Sequence, residues 1–451
     1  MAATQQAIEI DEKKVVGKSS KASVDAKEES TLVKDHDFYF NFYSSLQNQA
    51  NMIGDISRTG TYRKAILGNA AIAFTDKTVL DLGAGSGILS YMSAQAGAKQ
   101  VIALEASSMA EKIEIIIKAA NRGKNNPHLK DRIRVVRGMV ENKKVQAEVL
   151  KTGKVDTIIS EPIGVMLLHE RMVESFILAR DLFLKPGGQV LPSAGHIFFC
   201  PFTDEALYTE TDQKAQFFNA TLFGTDFSEL YDAAREEVFA QPVVGMFPPT
   251  SLVSTPLPPQ QSFDFHTVTT DDLLAFTTAI DFVVSRTCLV HGLASWFDLD
   301  FNPRVPPKAD GTHWGFPVAP SNAWQWMAQE NPLNPGATPP PPADGLNVAL
   351  STGPDAVRTH WQQARLLLPE PLAVNKGERI TGSIRFTVNE ARSYDLLLEL
   401  EVDRPGLENW KGPNPLKRKA NYLLQQQCFN YSYNPDAAAM GNLGLNGGLA
   451  M

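Results

Sequence analysis

Apolar runs of four or five residues at 78–82, 100–104, 133–136 and 155–159 alternate with helical periodicity at 87–95, 109–120 and 171–183. Short buried-type strands separated by helices predict a doubly wound parallel sheet. Lys185-Pro-Gly-Gly188 is a strong breaker after the last of these helices. Upstream, the aromatic run Phe38-Tyr-Phe-Asn-Phe-Tyr43 precedes one helical pattern from Leu46 through Met52, Ile53 and Ile56 to Tyr62, Ile66 and Leu67. Downstream of Leu191-Pro192, residues 203–239 read as amphipathic helix, with Leu207, Tyr208, Phe217, Phe218, Leu222 and Leu230. Then β-rich stretches follow at 263–265, 274–284, 289–297, 346–350, 363–368, 379–388 and 394–402, which predict an antiparallel barrel or sandwich. Residues 1–34 are polar and aperiodic and are expected to be disordered. The division expected is a helical lid at 35–67, a Rossmann-like α/β domain at 68–191, a β-barrel domain at 192–412 and a flexible tail at 413–451. Within the barrel domain, 303–342 stands out as an insertion with eleven prolines and Trp314, Trp324 and Trp326.

Composition narrows this picture only a little. At 451 residues, 43% hydrophobic and 20% charged, the chain is an ordinary globular one with room for two or three cores. A net charge of −8 argues against nonspecific nucleic-acid binding and is compatible with basic protein substrates. Cys200, Cys288 and Cys428 are far apart and form neither a disulfide framework nor a metal spacing, so no metal is expected. No stretch approaches 18 apolar residues, so no membrane span is expected.

Chemistry enters with Val79-Leu-Asp-Leu-Gly-Ala-Gly-Ser-Gly87, a glycine-rich turn between a strand and a helix. Gly83, Gly85 and Gly87 allow close approach of backbone to a ligand, and the helix start offers free N–H groups. Glu105 ends the next strand, about 20 positions on, where an acidic side chain takes a ribose diol. The compact glycine spacing, followed by Ile88-Leu89-Ser90, resembles the first motif of S-adenosylmethionine-dependent methyltransferases rather than a dinucleotide fingerprint, which implies S-adenosylmethionine as the cofactor. Glu161 follows directly on the strand at 155–159, and Pro162 and Gly164 turn the chain so that Glu170 can return beside it. Two ionised carboxylates facing one cleft repel unless a cation sits between them, and the planar guanidinium of arginine bonds carboxylates in pairs.

These motifs, with Gln49-Ala-Asn-Met52, Asp55-Ile-Ser-Arg-Thr-Gly-Thr-Tyr62, Glu170-Arg-Met172, Pro201-Phe-Thr-Asp-Glu205, Leu289-Val-His-Gly-Leu-Ala294 and Thr359-His-Trp361, resemble the type I protein arginine methyltransferases, above all the coactivator-associated branch. The resemblance covers about residues 36–300 and 346–405. It implies that Glu161 and Glu170 clamp the target arginine and that His360 pairs with Asp55 as catalytic residues. It implies that Gln49, Arg58, Gly83, Gly85, Glu105, Glu141 and Ser175 hold the cofactor, and that Tyr43 and Met52 border the transfer site. Thr-His-Trp also occurs at 312–314, but only His360 stands in the family-like context, so His313 is read as structural or incidental. The family usually carries Glu-Pro-Met-Gly-Tyr where this chain has Glu161-Pro-Ile-Gly-Val165, which puts peptide preference in question.

The function implied is methyl transfer from S-adenosylmethionine to arginine in proteins such as histone H3 and RNA- or chromatin-associated proteins, giving monomethyl and asymmetric dimethyl arginine. A homodimer joined through a helical arm at 203–240 and residence in nucleus and cytoplasm follow from the same resemblance. The alternative is a catalytically weak scaffold on the same fold, against which the intact Glu161, Glu170, Arg58 and glycine turn argue.

Overall fold

The structure, a computed structural model, describes residues 43–255, 258–304, 345–404 and 416–433. The expected disordered segment at 1–34, most of the aromatic run, nearly all of the 303–342 insertion with His313, and 434–451 lie outside the described residues.

The helical pattern at 46–67 forms two helices, α1 (Leu46–Gly54) and α2 (Ile56–Gly68), instead of one. Asp55 makes the break. Its backbone is extended, and its Oδ1 accepts the Arg58 N–H at 2.9 Å as the cap of α2. A π-turn at Ala70–Phe74 then leads to the sheet.

Five parallel strands follow: β1 (Thr78–Leu82), β2 (Gln100–Glu105), β3 (Ile133–Arg137), β4 (Val155–Ser160) and β5 (Leu184–Leu191). They connect through α3 (Ile88–Gln95), α4 (Met109–Asn121), α5 (Lys143–Leu150) and α6 (Met172–Phe183). The order is β3-β2-β1-β4-β5, so the winding reverses between β1 and β4. Such a switch point opens a crevice at the carboxyl ends of the strands. Val79, Leu80, Val101, Ile102, Ile158 and Ile159 are wholly buried, as expected of strands covered on both faces. The Lys185-Pro-Gly-Gly188 segment does stop α6, but it lies inside β5, where a register shift against β4 between Val155 and Thr157 absorbs it.

The second half is β-rich. One sheet runs β10 (Gln261–Asp264), β6 (Ala194–Phe202), β12 (Cys288–Asp300), β14 (Ala364–Val374), β9 (Val243–Val244) and β18 (Cys428–Phe429), with β13 (Ala349–Ser351) also on β12. The other runs β11 (Ala275–Val283), β15 (Arg379–Val388), β16 (Tyr394–Asp403) and β17 (Lys417–Leu423). Among the described residues these are two open sheets that share one apolar core, and the barrel expected from the sequence does not close by hydrogen bonding. The sheets meet through side chains such as Phe199 against Phe386, and through the Tyr422 hydroxyl on the Leu367 carbonyl at 2.9 Å.

The arm is also more divided than its pattern. It consists of α7 (Glu205–Gln216), a small hairpin of β7 (Thr221–Leu222) and β8 (Thr225–Asp226), and α8 (Tyr231–Phe239). β17 corrects the expectation of a flexible tail from 413: Lys417 and Lys419 pair with Glu401 and Glu399 of β16 while Ala420 and Tyr422 enter the core. No helix among the described residues is long and apolar enough to cross a membrane.

Candidate active site

The site forms where three chain segments leave the parallel sheet. After β1 the backbone turns through Gly83, Gly85 and Gly87 at φ of +69°, +53° and +84°, conformations that favour glycine. A Cβ on Gly85 would stand 3.1 Å from the Gln49 amide oxygen, so the turn passes directly under α1. After β2, Glu105 reaches back to this turn. Its Oε2 accepts the Gly85 N–H at 2.7 Å and its Oε1 accepts the Ser107 N–H at 2.6 Å. After β4 comes Glu161. Its Oε2 accepts from Arg58 Nη2 at 2.8 Å and Nε at 3.3 Å, and its Oε1 accepts the Ile163 N–H at 3.2 Å.

The Arg58–Glu161 pair is nearly buried, with side chains 8% and 13% exposed. Burial works against the Arg58 charge, but the adjacent Glu161 outweighs it and raises the guanidinium above its ordinary value. Removing one member of such a pair strands the other charge and costs about 3–5 kcal/mol. Arg58 Nη1 also donates to the Met52 carbonyl at 3.2 Å, which ties α1 to α2.

Glu170 returns to the same cavity as Glu161. Both line one cavity of about 500 Å³, together with the glycine turn and Glu105. The Tyr43 hydroxyl donates to both Glu170 oxygens, at 2.9 and 3.0 Å. Gln49 Nε2 in turn donates to the Tyr43 carbonyl at 3.0 Å, so the segment before α1 is held across the cavity. The Ser175 hydroxyl donates to Glu141 Oε1 at 2.6 Å on the far wall. Every expected site residue lines the cavity except Asp55 and His360. Those two meet beside it: Asp55 Oδ2 is 2.8 Å from both the backbone nitrogen and Nδ1 of His360. Burial pushes the Asp55 carboxyl up, but hydrogen bonds from His360 and from backbone N–H groups outweigh it and hold it below its ordinary value. The next residue, Trp361, donates its Nε1–H to the Ile163 carbonyl at 3.1 Å and anchors the Glu161 turn to the second sheet system.

Sequence reasoning did not single out Arg171, Glu174, Thr270 and Arg392, which also line the cavity. Arg171 stands inside the Glu170-Arg-Met172 motif and Glu174 just beyond it, and the two bond each other at 2.6 Å, a pairing that their spacing of three on a helix start could have shown. Thr270 and Arg392 arrive from the β-rich half, and no local pattern points to them. Asp81 also went without a role. It lies wholly buried beneath the turn, with Oδ2 accepting the Ser90 hydroxyl at 2.6 Å and Oδ1 without a partner among the described residues.

Comparison with known proteins gives a consistent answer. The family model described as the arginine methyltransferase oligomerization subdomain matches residues 193–319 and 342–405, and that of ribosomal protein L11 methyltransferase (PrmA) matches 66–191. A probable histone-arginine methyltransferase CARM1 of Oryza sativa subsp. indica is 38% identical over 384 residues, 85% of this chain and 62% of the relative. The histone-arginine methyltransferase CARMER of Drosophila yakuba is 36% identical over 366 residues, 81% of this chain and 58% of the relative. The chain therefore spans about three fifths of the length of these curated relatives. Among solved structures, the Trypanosoma brucei PRMT1 enzyme-prozyme heterotetrameric complex with AdoHcy matches with a TM-score of 0.61 at 28% identity, over 85% of this chain and 100% of that one. Protein arginine methyltransferase 10 of Arabidopsis thaliana matches with a TM-score of 0.65 at 26% identity, over 85% of this chain and 99% of that one. With both halves matched in order and the identity to CARM1-type relatives extending over most of its residues, the chain is similar to protein arginine methyltransferases along both its α/β and its β-rich half.

Proposed function

We propose that the chain transfers a methyl group from S-adenosylmethionine to a guanidinium nitrogen of arginine in proteins such as histones. The observation that carries this reading is the pair Glu161 and Glu170 at one cavity whose floor is the glycine turn. The residues present fit the cofactor. Glu105 is held at the turn by two backbone N–H groups, with acceptor capacity left on each oxygen for a ribose diol. Arg58 suits the amino-acid carboxylate, Gln49 and the Gly83–Gly85 backbone suit the same end, and Glu141 and Ser175 suit the base. The cofactor supplies an electrophilic methyl on a sulfonium.

The remaining work falls to the protein. Arginine keeps its proton at any ordinary pH, its pKa exceeding about 12. Two carboxylates draw the positive charge toward two nitrogens and leave electron density on the third. They also hold that nitrogen in line, a proximity effect that operates without prior deprotonation. Tyr43 occupies both Glu170 oxygens in this structure and would yield to an arginine, leaving Met52 and Tyr43 as walls. The Asp55–His360 pair takes up the proton as the product forms. The α1 segment across the cavity excludes water. The finer parts of the reading are asymmetric dimethylation, histone H3 as a substrate, a homodimer, and residence in nucleus and cytoplasm.

The test is incubation with labelled S-adenosylmethionine and histone H3, with wild type, Glu161→Gln and Glu170→Gln. Loss of about 3–5 kcal/mol at the clamp lowers turnover by roughly two decades or more. Label on arginine in the wild type, near-zero turnover in both variants and little change in the cofactor affinity of Glu170→Gln are expected. Retention of half the wild-type rate in either variant would sink the clamp.

A further inference from the structure

Glu170 stands in backbone that L residues rarely adopt. Its φ is +74°, Arg171 follows at +55°, and Met166 and Leu167 precede at +53° and +71°. The loop doubles back so tightly that a Cβ on Gly164 would lie 2.2 Å from the His169 carbonyl oxygen. Left-handed backbone at non-glycine positions persists only where the surroundings over-determine it.

Those surroundings come from the turn between β15 and β16, more than 200 residues further on. It touches three consecutive residues. His169 Nδ1 lies 2.9 Å from the Ser393 hydroxyl, Arg392 Nη2 donates to the Glu170 carbonyl at 3.4 Å, and Arg171 Nη1 donates to the Asn389 carbonyl at 3.3 Å. The turn is itself braced, since Asn389 Oδ1 accepts the Ala391 and Ser393 N–H groups, each at 3.1 Å. Ser393 is wholly buried. Burial also pushes His169 down to about 4, so its ring is neutral and bonds the hydroxyl as a neutral partner through the physiological range.

We propose that the 389–393 turn is a latch that sets the position of the Glu170 carboxylate, with Ser393 and His169 as positioning residues. The proposal rests on the reading of Glu170 as one jaw of the arginine clamp. Fixing a rare backbone conformation through both neighbours of one residue aims that residue's side chain. General packing between the two halves would instead spread over the interface.

Two measurements on the full chain decide it, with Ser393→Ala, His169→Ala and His169→Asn, the last keeping a hydrogen-bonding atom at the δ position. The first is amide hydrogen exchange, which needs no turnover. Ser393→Ala and His169→Ala should speed exchange at least tenfold across 164–171 and leave β1, β2 and β4 unchanged. Unchanged exchange in the loop overturns the latch whatever the activity. The second is kinetics on a histone H3 peptide. The two alanine variants should lose at least tenfold in kcat with cofactor affinity within twofold of wild type, and His169→Asn should recover most of it. A parallel fall in cofactor affinity and melting temperature would mean packing and overturn the proposal. A wild type that methylates nothing would overturn the clamp reading alone, and the exchange result would still decide the latch.

Discussion

Asp81 is a carboxylic acid wholly removed from water. Burial raises its carboxyl from an ordinary value of 3.8 to about 7, although the Ser90 hydroxyl bonds it. The folded chain therefore keeps a proton that the unfolded chain releases between about pH 4 and pH 7. Stability from this group is full below that window and falls as pH rises through it, by on the order of 4 kcal/mol. Asp81→Asn keeps the shape and an acceptor for Ser90 without a charge. The variant should gain stability relative to wild type as pH rises from 5 to 8, read as the difference in urea midpoints. A constant difference across that range would show that Asp81 is ionised in the fold. Asp55 has the opposite sign, because hydrogen bonds hold it below its ordinary value, so its contribution is lost only as pH falls into the acid range.

β1, β2 and β4 each deliver one part of the site at the carboxyl end, so errors at those ends should show as loss of binding before loss of fold. Glu105 is the clearest case, because it braces the β1 turn and, on the proposed reading, takes the ribose. Charge-assisted hydrogen bonds contribute about 1.5–3 kcal/mol, which is roughly 10- to 150-fold in affinity. Glu105→Ala should weaken S-adenosylmethionine by that factor in calorimetric titration. Equal affinities would mean that the carboxylate serves the turn alone. The Trp361 and β15–β16 contacts reach the Glu161–Glu170 loop from the other sheets, so that loop belongs mechanically to both halves of the chain.

The arm concentrates both apolar surface and charge. Phe217, Phe223 and Leu230 are exposed on it, at 60%, 107% and 49%. Residues 203–240 carry nine carboxylates against two cations, while 68–191 carry seventeen cations against thirteen carboxylates. An apolar, acidic projection and a basic domain on one chain are complementary between two copies, and two-fold closure limits such a ring to a dimer. Light scattering should give a dimer at micromolar concentration. Its association should slow as salt rises, since opposite charges steer encounter more than they hold the complex. Replacing 203–240 by a short polar linker should give a monomer with poor turnover. A wild type that stays monomeric with full activity would refute the arm's role.

The glycine turn, Glu105 and Glu161 were legible in the chain because each stands at the carboxyl end of a strand, and strand direction places that end at one edge of the sheet. Glu170 was legible through Pro162 and Gly164, which can only turn the chain back. The charge of the arm and its apolar residues were legible as well, because neither depends on neighbours. Tertiary structure decided the rest. Asp55 and His360 meet across 305 positions, and resemblance rather than pattern joined them. Lys417 and Lys419 fall in the expected flexible tail, and β16 with Glu401 and Glu399 alongside is what makes a strand of them. The Ser393–His169 contact and the left-handed backbone at Glu170 leave no local trace, since such backbone is unfavourable by itself and exists only where a distant turn closes on it. Local chemistry thus set which groups could act, and long-range packing set where they point.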